Sequence, residues 1–218
     1  MPKRLARRDQ PNMTTPSDDE RDLRTILLDC TENLLIVRRF DELSVADILT
    51  AAGVSRASFY FYFDSKYAIL DALIRRVMEQ AKALAQPWIE TDTDQPEKTL
   101  YEGTELAVQL WIRHAPVLRA IVENWRSDER LTQLWTELMN GFTQSAIYRI
   151  QRDQSSGYAP TSSIDVQALA RSLTWMNERI FYLTAIGQQG FTDPKQVTDV
   201  LTHIWLSAIY GIYPQPKA

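Results

Sequence analysis

Apolar residues recur at three- and four-residue spacing along most of the chain, the period of an amphipathic helix. The first such stripe, Leu23, Ile26, Leu27, Cys30, Leu34 and Val37, predicts a helix over 19–38. Ser44 ahead of Val45, Ile48 and Leu49 reads as the N-cap of a short helix over 44–52. A third helix covers 55–62, and a fourth, 65–86, carries Ile69, Leu70, Leu73, Val77, Ala81 and Leu84 and stops before Pro87. Helices over 97–113, 116–125 (opened by Pro116) and 128–152 follow, the last with Leu131, Leu134, Trp135, Leu138, Phe142 and Ile150. Two more cover 164–187 and 194–210, with Ser163 and Pro194 as their starts. TDTDQP at 91–96 and QSSGYAPTSS at 154–163 are loops. Seven glycines in 218 residues, and long stretches rich in Leu, Ala, Glu and Arg, agree with an all-α fold of about nine helices.

The segment GVSRASFYFYFDSK at 53–66 departs from ordinary patterning. Gly53 stands where a helix exit needs positive φ, Val54 plugs the turn, and Ser55 caps the next helix. Five consecutive aromatics, Phe59 to Phe63, cannot all face inward on a helix. Phe59 and Phe63 are assigned to the core, and at least two of the five must be exposed, which needs a partner to explain it. This is the second half of a helix-turn-helix, whose second helix is shaped for the DNA major groove. Arg56 suits guanine or phosphate; Ala57 and Ser58 permit close approach and contact with a thymine methyl. The candidate DNA-binding set is Ser44, Ser55, Arg56, Ala57, Ser58, Tyr60, Phe61, Tyr62 and Lys66. In it the tyrosine hydroxyls reach phosphate oxygens, and Lys66 meets a phosphate at the first turn of the fourth helix.

The net charge of −4 is unevenly placed. Residues 1–82 hold 13 basic and 13 acidic side chains, and the remainder 11 and 15, so the negative balance sits away from the proposed DNA face. Residues 1–18 read as a disordered basic arm: Lys3, Arg4, Arg7 and Arg8 could sweep phosphates or a minor groove, or the arm could be a solvated tail. No run of 18 apolar residues and no apolar signal region is present, which argues against a membrane partner. One cysteine, Cys30, suits a reducing cytoplasm and a place in the core. The two histidines, His114 and His203, stand in no metal-ligand pattern, and no P-loop, GxGxxG or GxSxG occurs. No catalytic residue, metal or cofactor is therefore assigned; an enzyme or scaffold with a vestigial DNA-binding head is the alternative reading.

The FYFYFDSK string at 59–66, MNER at 176–179 and HIWLSAIYG at 203–211 resemble the TetR family of bacterial one-component regulators, and a mycobacterial ethionamide-resistance branch within it. The resemblance implies a helix-turn-helix DNA-binding domain over 19–66 and a ligand-binding and dimerisation domain over 67–218. It implies a repressor that grips a pseudo-palindromic double-stranded operator as a homodimer and lets go when a hydrophobic small molecule binds. It also implies that the last two helices pair with their twofold mates, which would use their two apolar stripes (Leu169, Leu173, Met176, Ile180, Leu183 and Val197, Val200, Leu201, Ile204, Ala208) together with further aromatics. A buried hairpin in a monomer is the other reading of that width.

By residue-to-residue match, Tyr101, Trp135, Met139, Phe142, Asn177, Phe181, Tyr182 and Trp205 would line the ligand tunnel. Asn177 is either a ligand contact or a structural hydrogen-bond partner. Glu178 and Arg179 are assigned to internal polar contacts. Val108 and Ile112 stand where the branch carries phenylalanines, which implies a different pocket shape and ligand.

Overall fold

A computed structural model describes residues 18–90, 95–161 and 163–211 of the protein. Residues 1–17 of the expected arm and 91–94 of the expected loop lie outside the described residues, and Asp18, the last residue of that arm, already belongs to a helix. Within them the chain forms nine helices and no strand: α1 (Asp18–Val37), α2 (Val45–Ala52), α3 (Arg56–Tyr62), α4 (Lys66–Glu90), α5 (Pro96–Arg113), α6 (Ala115–Asn124), α7 (Glu129–Ser155), α8 (Val166–Ala185) and α9 (Pro194–Tyr210). No helix among the described residues is long and apolar enough to cross a membrane.

Helices α1–α3 form a head whose core is Leu27, Leu35, Phe40, Leu43, Ile48, Phe59 and Phe63, closed by Ile69, Leu70 and Leu73 of α4. The α2–α3 turn is built as its residues dictate. Ser44 and Asp47 make a reciprocal capping box, and Gly53 ends α2 in the left-handed region at φ 66°. Arg38 reaches Asp47 at 2.9 Å. Those donors, the Ser44 hydroxyl and amide first, hold the Asp47 carboxyl well below the usual carboxylate range.

The same core continues without a break into the rest of the described chain, α4–α9 (the expected ligand-binding unit, or sensor), through Val77 and Met78 of α4 to Val117, Leu118 and Ile121 of α6 and Leu131, Leu134 and Trp135 of α7. A second cluster joins α5, α7, α8 and α9 around Leu100, Ile150, Ala170, Leu206 and Ile209. A polar knot sits beside it: Arg149 Nε donates to Asp153 at 2.7 Å and the Tyr210 hydroxyl to the same carboxylate at 2.6 Å, all buried. Burial, with the Asp153 carboxylate alongside, pushes the Tyr210 phenol up.

Three expectations about the elements are corrected. The buried face of α1 is Leu27, Leu28, Thr31 and Leu35, whereas Ile26 is exposed and Val37 is 78% exposed. Its sequence is apolar over more than one stripe, so periodicity alone did not fix the rotation, and Cys30 is only half-buried. Helix α4 does not stop before Pro87 but runs to Glu90. A proline removes one amide donor and can be absorbed in a long helix, and beyond it Ile89 still lies against the sensor interior. The cap of α8 is Asp165, whose carboxylate accepts from the Ala168 amide at 2.9 Å, rather than Ser163.

Candidate nucleic-acid interface and ligand cavity

Helix α3 has seven residues, and the angular step of an α-helix sorts them cleanly. Phe59 is fully buried. On the opposite side Arg56, Ala57, Tyr60 and Phe61 share one exposed face, with Tyr60 44% and Phe61 71% accessible. An aromatic ring that open, beside a second, is surface that wants a partner. The Arg56 guanidinium lies 5.5 Å from the centre of the Tyr60 ring, which steadies a long cation where a DNA groove would meet it. Ser55 caps α3: its Oγ accepts from the Ser58 amide at 3.0 Å and lies 2.8 Å from the Ser58 hydroxyl.

The remaining candidates are placed differently. Ser44 and Ser55 are exposed but engaged as caps. Ser58 and Tyr62 are half-buried, Tyr62 against the head core. The ammonium of Lys66 is turned into the protein, away from the expected phosphate. It donates to the carbonyls of Phe40, Asp41 and Leu43 at 3.2, 3.2 and 2.8 Å and lies 4.9 Å from the Phe40 ring centre. Burial lowers its pKa. It therefore fastens the start of α4 to the α1–α2 loop.

A largely apolar cavity of about 180 Å³ lies between α4, α5, α7, α8 and α9 of the sensor. Trp135, Met139 and Phe142 of α7, Asn177 and Phe181 of α8 and Trp205 of α9 line it. Asn177 is held by the Trp205 indole, whose Nε1 donates to Oδ1 at 3.0 Å. Tyr101 and Tyr182 do not line it. The α5 wall is Leu100, Gly103, Thr104, Ala107, Leu110 and Trp111. Tyr101, Val108 and Ile112 each lie one residue off that face, a rotation of about 100° around the helix. Tyr182 points instead at α6, donating to Glu123 at 3.0 Å; burial and that carboxylate push its phenol up.

Sequence reasoning missed the α4 wall (Met78, Ala81, Leu84, Ala85, Ile89) and the α5 wall. A signal existed in α5: Gly103, Thr104 and Ala107 are small residues on an inward face bounded by Leu100 and Trp111, where a packed core would want bulk. Glu178 and Arg179 do contact each other, at 4.0 Å, with the largely exposed Arg179 guanidinium also 5.2 Å from the Tyr182 ring centre, and Glu178 lines the cavity as well.

Polar tethers join head and sensor. Arg119 of α6 donates to the carbonyl of Leu35 at 2.9 Å. Arg39, just past α1, meets Glu123 at 3.3 Å, the carboxylate that also accepts from Tyr182. Arg130 at the start of α7 forks onto Asp64, between α3 and α4, at 2.8 and 2.7 Å. Elsewhere on the sensor, Val200 of α9 is exposed, Ile186 stands exposed just past α8, and Leu169, Met176, Ile180, Leu183, Ile204 and Ala208 of α8 and α9 are partly buried.

Comparison with known proteins matches both halves. Residues 27–73 fit the family described as bacterial regulatory proteins, tetR family, and residues 100–211 fit the C-terminal domain of the transcriptional regulator EthR. The HTH-type transcriptional regulator EthR of Mycolicibacterium smegmatis is 33% identical over 199 residues, 91% of this chain and 90% of that one. Among solved structures, a TetR-family regulator from Syntrophomonas wolfei superposes with a TM-score of 0.71 at 15% identity, over 89% of this chain and 99% of that one. A complex of SmeT with triclosan gives 0.65 at 19% identity, over 90% and 99%.

Proposed function

Since the chain belongs to the TetR family of bacterial transcriptional regulators, with a C-terminal domain of the EthR type, we propose that it is a repressor that binds a pseudo-palindromic operator as a homodimer and is released by an apolar small molecule. The family is one of regulators rather than enzymes. Arg56, Ala57, Tyr60 and Phe61 enter the major groove, with Ser55 and Ser58 at the helix N-terminus beside the phosphates. The partly exposed apolar face of α8 and α9 pairs with its twofold mate, which sets two recognition helices about one DNA turn apart.

The observation that carries this reading is the span of α4. Its first residue, Lys66, is bonded to the head loop, and the same helix walls the cavity from Met78 onward. The two points are about 18 Å apart along the helix axis. A ligand pressing on Met78, Ala81 and Leu84 tilts a rod fixed in the head and changes the spacing of the recognition helices. The ligand acts through its different affinity for the two spacings. The SmeT–triclosan complex supports an apolar effector in this fold.

The test is a salt-titrated gel shift and footprint with DNA from upstream of the protein's own gene. Binding selective over random DNA at physiological salt, with a two-lobed palindromic footprint, is the expected outcome. Sequence-blind binding that vanishes with rising salt contradicts the operator reading. Asn177→Ala is expected to raise the effector concentration needed for release.

A further inference from the structure

We propose that the cavity takes a compact aromatic amine, its ammonium paired with the Glu178 carboxylate and its ring held among Trp111, Trp135 and Phe181. The inference rests on the reading of this cavity as the effector site.

Two groups in the wall lack what they need. Glu178 is 5% exposed and faces the apolar space. Among the described residues the cation within ion-pair reach is Arg179, 4.0 Å away on a side chain that is itself mostly in solvent. A carboxylate in such a site is costly unless a cation joins it. Burial accordingly raises its pKa, against a smaller opposing pull from Arg179. The second group is the Trp135 indole N–H, buried and without an acceptor among the described residues. The face of a ligand ring, or an acceptor atom on it, meets that donor.

The surrounding wall fits the same ligand. Trp111 stands 6.5 Å from Trp135 and 5.8 Å from Phe181 between ring centres. Such an aromatic enclosure favours both a ring and an adjacent cation. The cavity, of about 180 Å³, has room for one ring and a short chain beside these side chains. Residues 83–218 carry 11 basic and 15 acidic side chains, a field that draws cations rather than anions.

The experiment compares two probes of equal size, 2-phenylethylamine and 2-phenylethanol, titrated into the full-length protein at neutral pH by calorimetry and tryptophan fluorescence. The amine is expected to bind about tenfold or more tightly than the alcohol, as a charge-assisted contact should. In Glu178→Gln that ratio is expected to fall to about one, and in Glu178→Asp, where the carboxylate is withdrawn, to an intermediate value. Equal binding of the two probes to the native protein, or a preference that survives Glu178→Gln, overturns the proposal. If the alcohol binds and the amine does not, the amine assignment falls and the effector cavity stands. If neither binds, both fall.

Discussion

The head and the sensor are built to different specifications. In the head the large apolar side chains that face inward meet one another, and Lys66, Asp47 and Ser55 are each satisfied by nearby backbone or side-chain groups. What the head leaves unsatisfied is outside: Phe61, Tyr60 and Arg56 on one face. The sensor keeps an open apolar face on α8 and α9 but adds demands in its interior: the Trp135 N–H with no acceptor among the described residues, the buried Glu178 and a cavity among aromatics. A rigid reader needs its open chemistry on the surface, and a detector needs it within. The two share one core through α4, so a change in the second is not insulated from the first.

Breaking the sensor's interior should cost the most. Asp153→Ala removes the buried carboxylate to which both Arg149 and Tyr210 donate. The expected loss is about 3–5 kcal/mol, read as a lower urea midpoint. Asp64→Ala, which breaks an exposed pair with Arg130 at the head–sensor junction, should barely move that midpoint. Equal effects would mean that the two polar contacts are not of different kinds.

On the head, Arg56→Ala should weaken operator binding by about 1–3 kcal/mol with an unchanged melting curve, measured by gel shift and circular dichroism. Loss of stability instead would place Arg56 in the fold rather than on the DNA.

The smallest effect is a pH slope. The folded-state pKa of Glu178 is raised by burial, so the native state holds its proton more tightly than the unfolded chain. Its contribution is fully present below the ordinary carboxylate range and is lost as pH rises through the folded value. Glu178→Gln should therefore gain in melting temperature relative to the native protein as pH rises from about 4 to 8. An unchanged difference across that range would show that Glu178 is not held in a desolvated site.

The head was legible because its chemistry is local. Ser44, Gly53, Ser55, Phe59 and Phe63 each do what their residue type and spacing imply within a few positions. Lys66 was misread because its acceptors are carbonyls 23–26 residues back, which no local pattern announces. In the sensor, the family resemblance pointed to Trp135, Met139, Phe142 and Phe181, yet on α5 it brought in Tyr101, one residue off the lining face, and left out Leu100. A cavity is a property of five helices at once, and much of its wall on α4 and α5 consists of Ala, Gly, Thr and Leu, residues that look like ordinary packing in one dimension. Pro87 misled for a related reason: the rule that it ends helices is local, whereas α4 is held along its length by the head and the sensor.

If head and sensor are coupled through α4, filling the cavity should by itself release DNA. Gly103 lines the cavity on α5, and a side chain begun there meets nothing within 4 Å. Gly103→Trp would place a ring in that space without any ligand. The decisive measurement is the operator affinity of this variant beside its melting temperature. Coupling predicts a melting temperature equal to or above that of the native protein and an operator affinity reduced about tenfold or more, the size of an ordinary coupling between sites. A folded variant of undiminished operator affinity would contradict it.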